Sequence, residues 1–258
     1  MPNDIPADLK NIQRKALAGL LWSKQFYHFG LTFLLAPSEP ASPSALLRFQ
    51  QRLSEADRGI IFDVVQRGGE MQAATFVRRS PPLQVGIGSP GPGGPPLMQL
   101  AMTAPDPHRR LEDFMLEAED ILAVFREVWP TVQQSVTRSC SIHSLYPVLE
   151  SHAFRFLWED RLQQSNDSLR ALERPVLGGG LRLVLPPPPD QPAAPAAEVR
   201  IESFFRDVSK VFVETTFTWN SPTGIDDSTL PSAMLKEVSE YEDGPVINFL
   251  MSSGTDHV

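Results

Sequence analysis

The chain has 258 residues, 41% of them apolar and 21% charged, which is long enough to bury a core without staples and too apolar for disorder. A net charge of −8 and a pI near 5.2 argue against general nucleic-acid affinity, because binding a phosphate backbone needs Lys and Arg concentrated on one surface. The lone cysteine, Cys140, excludes an intrachain disulfide and points to a reducing, cytoplasmic setting, and no apolar run approaches the roughly 20 residues of a membrane helix.

Residues 7–21 pattern as a short helix, so 1–23 read as an N-terminal helical extension. A first unit, 24–130, opens with Phe26 to Leu35, rich in aromatic and branched residues as a buried strand requires. Ser42 before Pro43 is a helix cap, and Leu46, Leu47, Gln50 and Leu53 then recur at helical spacing up to Glu55. Strands are expected at Ile60 to Gln66, Gln72 to Arg78, Leu83 to Ile87 and Leu97 to Thr103, with a Gly/Pro loop from Gly88 to Pro96. The helix from Pro107 to Trp129 is the clearest element, with Leu111, Phe114, Ala118, Ile121, Leu122 and Phe125 on one stripe.

A second unit, 131–251, repeats that order. Gln134 to Tyr146 reads as a strand, and a helix capped by Ser151 follows with Phe154, Leu157, Trp158 and Leu162 inward. Next come a loop, Ser165 to Arg174, and a strand, Leu181 to Leu185. A Pro/Ala spacer then leads to a hairpin of Val199 to Phe205 and Lys210 to Trp219. The last helix, Leu230 to Met251, must bend at Gly244-Pro245, and 252–258 form a frayed tail. Two similar β-α-β-β-β-α lobes follow, each an antiparallel sheet backed by helices: an α+β class.

The chemical motifs are weak. Gly86 to Gly91 spells a dinucleotide fingerprint, but Pro90, Pro92, Pro95 and Pro96 forbid the helix whose amides would hold the pyrophosphate. Gly178 to Gly180 leads into a strand, which suits a bulge better than an anion nest. Cys140 and His143 are three apart in a strand and point to opposite faces, so they cannot share an ion. His108 and Glu112 read as a surface pair at a helix start. With no nucleophile elbow, paired-histidine helix or Walker sequence present, neither a metal, a cofactor nor a catalytic residue is expected.

The aromatic side chains carry more. Phe204 and Phe205 are adjacent in the hairpin, Trp219 ends its strand and Trp22 precedes the first one, so these four mark a surface for a protein partner or self-association. Alternatively Tyr146, Trp158, Phe204 and Trp219 line a pocket between sheet and helices, as in a small-ligand binder or an unrecognised hydrolase.

The runs Leu172 to Leu185 and Val199 to Glu214 resemble a sporadically distributed bacterial family of unknown function, with the similarity centred on residues 172–219. That resemblance implies a bacterial, cytoplasmic protein and brings no site residue with it. In element order each unit also resembles the repeat of the TATA-box-binding fold, although the acidic balance sets this chain apart from DNA binding. The expectation is a non-catalytic interaction or scaffold subunit that binds a protein partner or another copy of itself, with nucleic acid unlikely and no membrane contact.

Overall fold

The computed structural model describes residues 25–36, 41–55, 59–67, 74–88, 97–105, 109–148 and 152–251. The predicted N-terminal helix, the Gly/Pro loop beyond Gly88 and the C-terminal tail lie outside these. The strands are β1 (Gln25–Ala36), β2 (Val64–Arg67), β3 (Ala74–Arg79), β4 (Pro82–Gly88), β5 (Met98–Ala104), β6 (Gln134–Pro147), β7 (Gly180–Leu185), β8 (Ala196–Ser203), β9 (Lys210–Trp219) and β10 (Thr223–Gly224). They form one antiparallel sheet in the order β2-β3-β4-β5-β1-β6-β9-β8-β7, with β10 added on β6. Each half sets its first strand at the centre and fills inward from its outer edge. The two expected sheets are thus joined edge to edge through β1 and β6, which pair Phe29 with Ile142 and Phe33 with Arg138.

The helices are α1 (Pro43–Leu53), α2 (Leu111–Val128), α3 (Ala153–Arg155, continued by a π-helical stretch Phe156–Arg161), α4 (Leu230–Tyr241) and α5 (Ile247–Met251). All pack on one side of the sheet. Phe29, Leu31, Phe33 and Leu35 of β1 alternate inward, as period-2 strands must, onto Phe49 of α1, Phe114 and Phe125 of α2 and Leu235 of α4. Cys140, Phe217 and Trp219 from the second half belong to this same cluster. A second cluster gathers Tyr146, Val199, Ile201, Val211 and Val213 beneath α3 and α5. No described helix is long and apolar enough to cross a membrane.

Local details depart from the sequence reading for identifiable reasons. Ser42 does cap α1, its Oγ accepting from Ala45 N at 3.2 Å, but the buried stripe is Ala45, Leu46, Phe49 and Leu53, with Leu47 exposed. Phe49 fixes that phase by packing between Phe76 and Trp129, with ring centroids 5.5 and 5.7 Å away. Ile60 and Phe62 are buried from an irregular segment, so β2 starts only at Val64. The 165–174 loop contains a 3-10 helix, Asn166–Leu172, and the Gly244-Pro245 break is absorbed in a π-helical stretch, Glu242–Val246, between α4 and α5. β8 ends at Ser203, placing Phe204 and Phe205 in the turn beyond it.

Candidate functional site

Among the described residues no helix covers the second face of the sheet. Its central strip carries small or hydroxyl side chains, Gly30 and Thr32 of β1, Ser139 and Ser141 of β6, Thr216 and Thr218 of β9, all half-buried. One row across it concentrates the polar chemistry. Register places His28 of β1 opposite His143 of β6, His143 opposite Glu214 of β9, Glu214 opposite Arg200 of β8 and Arg200 opposite Arg182 of β7.

The row is internally matched. The imidazoles of His28 and His143 stack with centroids 4.4 Å apart and planes 16° from parallel. His143 Nε2 lies 3.4 Å from Glu214 Oε1, while Arg200 donates to Glu214 Oε2 and Glu202 Oε1, each at 2.9 Å. Arg182 donates both arms of its fork to Glu198, at 2.8 and 2.9 Å. Burial, and then the neighbouring His143, pull the His28 pKa down to about 4, against a smaller opposing pull from Glu214. The hydrogen bond from His143 holds the Glu214 carboxyl below its usual range against the cost of burial. Space is tight at Gly30: a Cβ would stand 2.7 Å from Ser141 Oγ and 3.3 Å from His28 Nε2, so any larger residue would displace these side chains. No hydrogen bond joins Ser141 to either histidine among the described residues. The row is a self-neutralised ladder without an activated nucleophile.

Cys140 faces the other way, into the core, where burial first and Glu237 second push its thiol upward, away from thiolate chemistry. Among the described residues no three His, Cys, Asp or Glu side chains gather as metal ligands.

The predicted aromatics separate. Trp22 lies outside the described residues. Trp219 is 6% exposed and lies in the first core cluster, edge-on to Phe217 at 5.8 Å and under the Arg138 guanidinium. Tyr146 lies in the second cluster, where its hydroxyl donates to Glu242 Oε1 at 2.9 Å; that carboxylate is wholly buried, and burial followed by its charge pushes the phenol pKa upward. Trp158 stacks on Phe154 at 6.0 Å and donates from Nε1 to Ser165 O. Tyr146 and Trp219 thus sit in different core clusters, and Trp158 on the π-helical stretch after α3. Phe204 is half-buried, and Phe205, 71% exposed, lies against Gly178, where a Cβ would come within 2.8 Å of its ring.

Phe205 belongs to a wider surface. Of the ten exposed large apolar residues among those described, six fall between 172 and 208: Leu172, Leu177, Val184, Leu185, Phe205 and Val208. They lead into, form and leave the β7–β8 hairpin, and β7 is the last strand of the sheet on that side. Ser203 N donates to Gly179 O at 3.0 Å, so residues 179, 181 and 183 exchange bonds with β8. Alternation then turns the backbone N–H and C=O groups of Arg182 and Val184 outward, onto an edge that pairs with no strand among the described residues. Neither the stacked histidines nor this edge is visible in any local motif; a histidine within the first strand of both units was the only available signal for the former. No protein-family model, curated protein or solved structure matches the chain.

Proposed function

We propose that this protein is a non-catalytic interaction subunit whose contact surface is the β7 edge of the sheet with the apolar residues around it. The observation that carries this reading is the coincidence of an edge strand, unpaired on its outer side among the described residues, with Leu177, Val184 and Phe205, which are 74%, 68% and 71% exposed. Large apolar side chains exposed along and beside an edge strand mark contact sites, and an open edge offers main-chain hydrogen bonds to an incoming strand. The ladder from His28 to Arg182 does not favour nucleic acid, since each of its arginines is already spent on a glutamate.

The two halves descend from duplication of one sheet-and-helix unit, related in element order to the TATA-box-binding fold. Support comes from the strand order, in which β1 and β6 meet centrally and the later strands of each half fill inward. The test of the interaction role is cross-linked affinity capture from the native source, comparing wild type with Val184→Lys and Phe205→Asp. A defined partner retained by wild type and lost from both variants is the expected result. Equal capture by all three, or a metabolite that raises Tm equally in all three, overturns it.

A further inference from the structure

The β7 edge has a sequence that complements itself. Its outward-facing backbone groups belong to Gly180, Arg182 and Val184, and the last two flank Leu183. We propose that the occupant of this edge is a second copy of the chain, with β7 pairing antiparallel to β7 of the partner about a two-fold axis at Leu183. The proposal rests on the reading of this edge as the contact surface.

Register selects that axis. Centred on Leu183, the pairing sets Arg182 opposite the other copy's Val184, and both residues have free N–H and C=O groups, so four main-chain bonds form. Leu181 then meets Leu185 and Leu183 meets its own counterpart, all on the face that continues into the second core cluster, where Leu183 already packs. Centring on Arg182 would oppose two guanidiniums, a like-charge pair that costs stability. Centring on Val184 would set Arg182 opposite Pro186, which has no N–H to give. In the chosen register Arg182 faces the apolar Val184 instead of its own counterpart, and its fork stays on Glu198 of the same copy. The paired strands are short, so the dimer is weak and concentration-dependent, tightened by the exposed Leu177 and Phe205 on either side.

The experiment is sedimentation equilibrium of the full chain from micromolar to near-millimolar concentration, with oxidative cross-linking of variants that each carry one added cysteine. Leu183 and its counterpart form a non-hydrogen-bonded pair with Cα atoms about 4.5 Å apart, within disulfide reach. Leu183→Cys is therefore expected to cross-link on oxidation. Val184→Cys is not, since its two copies lie diagonally and beyond about 7 Å. The buried native Cys140 does not interfere. Val184→Lys, at an exposed position that spares the fold, is expected to leave only monomer. A wild-type chain that stays monomeric throughout, or a dimer indifferent to Val184→Lys, overturns the self-pairing. If Val184→Lys still abolishes capture of a different partner, the interaction role stands and only the identity of the occupant falls.

Discussion

His28 ties a single side chain to the behaviour of the whole sheet. Its pKa falls from an ordinary 6.5 to about 4 because the imidazolium would lose water and face His143. Between those values the unfolded chain binds a proton that the folded chain refuses. The His28 contribution to stability is therefore fully present above about pH 6.5 and is lost as pH falls towards about 4. The lowered pKa of Glu214 acts in the same direction, below its ordinary 4.5, so the two are separated by substitution. Urea unfolding at pH 7 and pH 5 should show a loss of stability in the wild type that shrinks in His28→Asn. An equal loss in both would mean that the proton goes elsewhere. None of this was legible in the sequence, where His28 and His143 are more than a hundred residues apart and each looks like an isolated strand histidine. A separation of 96 residues likewise hid the Tyr146–Glu242 bond, because nothing local marks Glu242 as a buried carboxylate.

Elements were legible where period and punctuation agreed. β1, β6, β9 and α2 lie close to where alternation, helical spacing and Pro130 place them, since each is long enough for its pattern to outweigh local noise. Short apolar runs were ambiguous: Ile60 to Phe62 reads as strand yet buries Ile60 and Phe62 from an irregular path, with Ile61 exposed, and a bulge near Leu34 and Leu35 turns Ser135 inward instead of Val136. The edge hairpin shows how finely one element depends on one residue. A Cβ at Gly180 would sit 2.0 Å from the carbonyl oxygen of Ile201, a backbone atom that cannot swing aside. Gly180→Ala should thus cost about 1–3 kcal/mol in urea unfolding and raise hydrogen exchange at the amides of β8 that β7 protects. Unchanged stability and exchange would show that β7 is not seated against β8 in this way. The Gly178 to Gly180 run, read from sequence as a bulge or close approach, has its physical reason in these contacts: Phe205 on Gly178, Phe154 on Gly179 and β8 on Gly180.

At the scale of the molecule, the two halves of the sheet are continuous in both hydrogen bonding and core. β1 and β6 run antiparallel along most of their lengths, and the first hydrophobic cluster takes Phe29, Phe76 and Phe125 from one half and Cys140, Phe217, Trp219 and Leu235 from the other. Sequence periodicity could show the repeated order but not this sharing, because a strand's pattern reports which face is buried and not which strand lies beside it. The consequence is thermodynamic. Unfolding the second half alone would strip the inner edge of β1 and expose the side of that cluster formed by Phe217 and Trp219, a cost neither half could bear independently. The described residues should therefore unfold in one cooperative transition. Tryptophan fluorescence reports both halves, through Trp129 in the first and Trp158 and Trp219 in the second, and far-UV circular dichroism reports the whole sheet. The midpoints in urea should coincide, and Phe217→Ala, removing a buried ring from the shared cluster, should shift both probes together by about 3–5 kcal/mol. Separate midpoints, or a Phe217→Ala effect confined to one probe, would show that the seam between β1 and β6 yields before the halves do.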